Sequence, residues 1–184
     1  VEPDQLEGSE GLRGTIATYG FTYTAEDEVT SVEISKQGGW PLYFLNSRAA
    51  GAPIYSHERA KEIAAEFLAA HGYENMKESY AIEKDGILVV NFASTQGDYI
   101  CYPDLVEVGV ALDTGEVAFL EGSSYLMNHC KRKIPTPKLT LAQAQNNLHE
   151  DLTVLKTAHA VIPTDSGGEK FVYGFLCQNG SLTM

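Results

Sequence analysis

Positive charge is scarce in this chain: 13 Lys and Arg stand against 25 Asp and Glu, a formal net charge of −12 over 184 residues. Nucleic-acid binding relies on Lys and Arg displacing counterions from phosphates. The densest basic run, Lys131-Arg132-Lys133, is three residues long, so nucleic acid is set aside as a partner. Long apolar runs are missing too. A transmembrane helix needs about 20 apolar residues in succession, whereas no run here exceeds four, as in Ile87-Leu88-Val89-Val90. No signal peptide is recognisable, and the chain opens on Val1 rather than Met, so it reads as a soluble piece of something longer. Cysteine is sparse: Cys101, Cys130 and Cys177 are odd in number, widely spaced and without a CxxC arrangement. A disulfide framework would use more of them and a zinc site would cluster them. They read as free thiols, and the redox compartment stays open.

What is present favours strands. Tyr (10) and Phe (7) are plentiful, with 17 Gly and 7 Pro to punctuate them. A chain of this length is expected to bury roughly 70% of its unfolded surface. Residues 1–11 are acidic and Gly-containing and read as a solvated leading segment. Extended runs follow at 15–24 and 29–36, the second alternating Val32/Ile34 with Glu33/Ser35. Gly38-Gly39 forms a turn, and 40–45 returns as a strand. Pro41 has no N–H to donate, which predicts an edge position or a starting bulge.

The clearest helix runs from Ser56 as N-cap, with Glu58 in its first turn, to Gly72 just past its end. Ala60, Ile63, Ala64, Phe67, Leu68 and His71 recur at the spacing of one face. A strand meander is then expected at 76–83, 87–93, 99–102, 106–112 and 117–120. Its turns are Asp85-Gly86 and Asp113-Thr114-Gly115. A second helix should start at Thr140, with Gln143 completing a capping box, and run to Asp151 through Leu141, Ala144, Leu148 and Leu152. Strands at 154–162 and 170–178 follow.

The pattern repeats. Pro53 to Ala60 matches Pro137 to Ala144 at an offset of 84, and the hairpin 32–45 matches 108–120 at an offset of 76. The fold expected is α+β: tandem small modules, each one helix packed on an antiparallel sheet. The units are a partial first at 1–50, a second at 51–130 and an incomplete third at 131–184, about one hairpin short of the second.

Such units resemble PepSY domains. Specific strings go further: Gly38-Gly39-Trp40-Pro41-Leu42-Tyr43-Phe44, His71-Gly72-Tyr73 with Asn75-Met76, and Asn91-Phe92-Ala93. With Tyr102-Pro103-Asp104-Leu105 and Tyr125-Leu126-Met127-Asn128-His129 they resemble the YpeB family of spore germination proteins, from about residue 15 onward. The resemblance implies a non-enzymatic protein needed for the cortex-lytic hydrolase SleB to persist in the dormant spore. It also implies an N-terminal membrane anchor, outside this chain, on the outer face of the inner spore membrane. No cofactor is implied. PepSY modules also occur in peptidase propeptides, which suggests two alternatives: a secreted peptidase-inhibitor-like module, or an accessory acting directly on peptidoglycan.

Candidate chemistry is thin. Cys130 beside His129 is the most tempting pair, but neighbours in an extended segment point apart. His71 closes a helix, where an imidazolium suits the dipole. His149, Glu150 and Asp151, as consecutive helix residues, share no face. Asp98 with Asp104, and Glu26-Asp27-Glu28, could pair for glycoside cleavage but read as solvated charge. The expectation is therefore no catalysis and no metal. Trp40, the sole tryptophan, is expected either in the core or inter-module packing or at a partner contact. Trp40, Tyr43 and Tyr99 are the partner-binding candidates, and the strand at 40–45 is the first candidate edge for self-association or hydrolase binding.

Overall fold

The computed structural model describes residues 6–25 and 28–179. Four strands come first: β1 (Leu6–Arg13), β2 (Ile16–Ala25), β3 (Glu28–Ser35) and β4 (Pro41–Asn46). Helix α1 (His57–Ala70) follows, then β5 (Met76–Lys84), β6 (Ile87–Gln96), β7 (Tyr99–Ala111) and β8 (Val117–Glu121). Short helices α2 (Ser123–Asn128) and α3 (Leu141–Gln145) lead to β9 (Leu152–Pro163) and β10 (Glu169–Asn179). Among the described residues no helix is long and apolar enough to cross a membrane.

The class is α+β with a mostly antiparallel sheet. Its main path is β1-β2-β3-β4-β8-β7-β6-β5, and β9 joins it parallel to β7 at residues 99–101 while pairing antiparallel with β10. One hydrogen-bonded sheet thus runs through what the offsets divide into three units.

Helix α1 forms where its local signals place it. The Ser56 hydroxyl accepts from the Arg59 N–H at 3.2 Å, and Gly72 leaves the helix at φ +85°. Its Ala60, Ala64 and Leu68 are wholly buried against alternate residues of β6, β7 and β8, among them Val90, Val108 and Leu120. Burying a side chain such as Leu68 stabilises by about 2 kcal/mol, and this one-sided contact holds the helix on the sheet.

The internal offsets reappear in geometry. Ser56 and Thr140, 84 apart, are both N-caps, at φ/ψ −72°/159° and −74°/161°, and each side chain accepts from the amide three residues on. The bulged residue of β4, Leu42, facing the Glu33–Ile34 step of β3, recurs 76 on as Ala118 of β8, facing the Gly109–Val110 step of β7. The matched strands β4 and β8 then pair with each other, Phe44 opposite Leu120, so that equivalent residues meet about a local two-fold.

Four expectations need correction. Residues 6–13, expected to be a solvated leader, form β1. Its side chains are almost all exposed, and the strand is held by its backbone ladder to β2, which leaves no hydrophobic alternation to read. The strand at 40–45 is not an edge: β4 lies between β3 and β8, and Pro41 is its first residue, next to the bulged Leu42. The helix expected to reach Asp151 stops at Gln145. None of its residues is buried, and a helix this short persists only through tertiary packing. Finally, Asp104, expected to be solvated, is wholly buried. Of the acidic run at 26–28, Glu26 and Asp27 lie outside the described residues, and Glu28 is exposed at the start of β3.

Candidate interaction site

Trp40 sits where the Gly38-Gly39 turn delivers the chain to β4. Its backbone N–H donates to the Ser35 hydroxyl at 2.9 Å. Its ring meets Tyr73 edge-on at 5.3 Å and Tyr125 at 6.1 Å, and it lies against the α carbon of Gly72. The Tyr73 hydroxyl donates to the Pro41 carbonyl at 2.6 Å, and burial pushes that phenol well above its ordinary pKa. Trp40 therefore packs against the core, between β4 and the end of α1. Tyr125 stacks in turn on His129 at 4.3 Å.

Tyr43 is half-buried in a cross-strand row of polar residues. The Arg13 guanidinium lies 3.9 Å above its ring and bonds Glu33 and Glu121, each at 2.8 Å. Glu107 stands directly opposite Glu121 across β7 and β8. Burial, and then the Glu121 charge, push its carboxyl above the usual range.

Tyr99 anchors the junction with the C-terminal strands. It stacks on His159 at 5.0 Å and meets Phe171 edge-on at 5.4 Å. With Pro135, Leu139, Phe171, Tyr173 and Phe175 it lines an apolar groove of about 480 Å³, which also reaches Lys138 and Lys170.

Beside that junction lies the most elaborate polar cluster in the structure. Asp104 is 0% exposed and takes both Arg132 Nη atoms, at 2.9 and 2.6 Å, with Ser94 Oγ at 2.7 Å and His129 Nδ1 at 2.8 Å. Arg132, itself 7% exposed, reaches Glu169 of β10 through Nε and Nη2 at 2.8 and 2.7 Å. Gln96 bonds both the N–H and the C=O of Arg132, fixing its backbone. Burial raises the Asp104 carboxyl, but the bonds from Arg132, Ser94 and His129 outweigh it and hold it below the usual range. The Glu169 and Asp104 contacts in turn hold the Arg132 guanidinium firmly charged. Burial pushes the nearby Cys101 thiol up, away from the thiolate a nucleophile needs.

Of the polar residues singled out in the sequence, the structure brings Asp104 and His129 together in a buried cluster, and His149 and Asp151 only at the surface. Cys130 is exposed, and His149 meets Asp151 at 3.4 Å on the surface, outside any helix. His71 caps α1, its Nδ1 2.8 Å from the Phe67 carbonyl. Among the described residues no group of three or more His, Cys, Asp and Glu could hold a metal ion. Sequence reasoning missed Arg132 and Glu169. Arg132 looked like one member of a basic run, and its partners lie 28 and 37 residues away.

A family model described as "YpeB sporulation, PepSY1 and PepSY2 domains" matches residues 4–135. The chain is 35% identical to the sporulation protein YpeB of Halalkalibacterium halodurans over 144 residues, 78% of this chain and 32% of that protein. It is 32% identical to that of Oceanobacillus iheyensis, over 86% of this chain and 35% of the relative, and 30% identical to that of Bacillus subtilis, over 80% and 33%. It thus spans about a third of the length of these curated relatives. The solved structure of the Bacillus megaterium YpeB C-terminal domain superposes with a TM-score of 0.86 at 26% identity, covering 98% of this chain and 82% of that one.

Proposed function

Because the chain belongs to the family of YpeB sporulation proteins, we propose that it is a non-catalytic, protein-binding part of such a protein. In this reading it stabilises or restrains the cortex-lytic hydrolase SleB in the dormant spore and permits cortex breakdown on germination. It works on the outer face of the inner spore membrane, held there by an anchor outside this chain. The carrying observation is the likeness to sporulation proteins over some four-fifths of the chain.

The chemistry of the carboxylates supports the reading. A cortex-cleaving acid needs a carboxyl of raised pKa poised over a cleft. Asp104 is held low inside an ion pair, and Glu107, which is raised, faces Glu121 within the sheet. The recurring caps and bulges support tandem units, each offering strands and apolar surface to a partner. A net charge of −12 favours a basic partner, with association that weakens as salt rises.

The test is to delete the gene in its spore-former and immunoblot dormant spores for the hydrolase. Loss of the hydrolase, restored by the wild-type gene, is the expected result; undiminished hydrolase overturns the reading. Release of muropeptides from purified cortex by the chain alone would overturn the non-catalytic part.

A further inference from the structure

The face of the sheet turned away from α1 carries a pattern of its own. The core beneath α1 takes Phe44, Val90, Val108 and Leu120 from β4, β6, β7 and β8. A pleat sends every second residue the other way, so Tyr43, Asn91, Glu107 and Glu121 share the opposite face. There they form one row across six strands: Tyr80 stands opposite Asn91, Asn91 opposite Glu107, Glu107 opposite Glu121, Glu121 opposite Tyr43, and Tyr43 opposite Glu33.

One end of the row already holds a cation. The Arg13 guanidinium lies over the Tyr43 ring and bonds Glu33 and Glu121, so an aromatic ring between carboxylates is a guanidinium seat on this face. The other end offers similar parts and no cation. Among the described residues Glu107 has no ion pair, and burial with the Glu121 charge holds its carboxyl above the usual range. Asn91 is 3% exposed, and its Oδ1 has no hydrogen-bond partner, an arrangement that costs stability until a donor arrives. Tyr80 and Glu107 flank Asn91 and are themselves only partly covered, so a side chain from outside reaches Asn91 by parting them. The lysines of this face, Lys77 and Lys84, stand at the two ends of β5. Beside the polar row runs an apolar one, in which Ile82 stands opposite Val89, and Phe119 opposite Leu45. Ile82 and Leu45 are exposed, and Val89 and Phe119 are half-buried.

We propose that this face binds an arginine-bearing segment of another protein, its guanidinium bonding Glu107 and Asn91 Oδ1 against the Tyr80 ring and its apolar side chains lying on the neighbouring row. A guanidinium suits the place better than an ammonium, because its planar fork serves two acceptors at once and stacks on an aromatic ring. A second copy of the chain does not fit, since it would set the same carboxylates against each other. The inference deepens the protein-binding reading above and rests on it for the kind of partner.

The experiment is an NMR titration of the isotope-labelled intact chain with the blocked tripeptide acetyl-Leu-Arg-Leu-amide, repeated with citrulline, a neutral isostere, in place of arginine. The arginine peptide should shift the Asn91 side-chain amide and the Glu107 carboxyl carbon saturably, and the citrulline peptide should bind about tenfold more weakly or worse. Glu107→Gln should weaken the arginine peptide about tenfold. Tyr80→Ala, at a position 49% exposed and outside the core, should weaken it about threefold. Glu58→Gln, in the exposed first turn of α1, should leave binding unchanged, and circular dichroism checks each fold. The absence of a saturable shift, equal binding of the citrulline peptide, unchanged affinity in Glu107→Gln, or shifts centred on Arg13 and Glu33 would each overturn the proposal. The titration uses the chain alone and the deletion test uses spores. Hydrolase lost on deletion with no peptide bound would therefore sink this site and leave the proposed function standing, and the opposite pair of results would do the reverse.

Discussion

Replacing Arg132 with Met tests the account of the buried ion cluster. Methionine keeps much of the apolar stem and removes the fork that joins Asp104 to Glu169. The Asp104 carboxylate, 0% exposed, keeps only the Ser94 and His129 bonds. Removing one partner of a buried pair costs about 3–5 kcal/mol, because the other charge stays behind without compensation. For a chain of this size each kcal/mol shifts the melting temperature by about 2–4 °C, so the expected fall is about 6–20 °C. The pH dependence has a definite sign. The carboxyl of Asp104 is held below its ordinary value, so its contribution is complete above the unfolded carboxylate range, near pH 4, and is lost as pH falls through the lower folded value. In Arg132→Met burial dominates and raises that carboxyl. The variant should therefore recover stability relative to wild type as pH drops from 7 toward 5. Urea unfolding across that range, with Asp104→Asn completing a double-mutant cycle, measures both effects. A loss below about 1 kcal/mol at pH 7, or a gap that does not change with pH, would refute the reasoning.

Trp40→Ala should cost about 2–4 kcal/mol, below the full price of a wholly buried aromatic because the ring is only partly covered; urea unfolding followed by circular dichroism measures it, and a loss under about 1 kcal/mol would return Trp40 to the surface. Gly72→Ala should lose about 1–2 kcal/mol, since the residue sits at φ +85° and its Cβ would stand 3.3 Å from the Trp40 ring; an unchanged melting temperature would contradict that contact. Glu107→Gln should raise the melting temperature at pH 7, because the raised pKa means that its charge opposes folding. That gain should vanish as pH falls through the folded value toward the ordinary Glu range; a gain that persists in acid would point to packing instead.

The elements legible in the sequence were those whose causes are local. Ser56, Glu58 and Gly72 announce α1 because a cap, a dipole and a left-handed stop each act within one turn. The alternation of Val106, Val108 and Val110 announces the buried face of β7 because a pleat turns every second side chain inward. The offsets of 84 and 76 are legible in the sequence, and a pair of N-caps and a pair of bulges stand at them. Tertiary structure decided whatever depends on a partner distant in the chain. β1 has no pattern to read because its hydrogen bonds, not its side chains, place it on β2. Pro41 allowed an edge or a bulge, and only the β4–β8 pairing chose the bulge. α3 has a fuller cap than α1, yet it ends after five residues because none of its side chains is buried. Asp104, Arg132 and Glu169 lie within turn-like or basic stretches whose local composition reads as solvated. Burial makes them one cluster, because charges taken out of water must find each other wherever the fold has brought them.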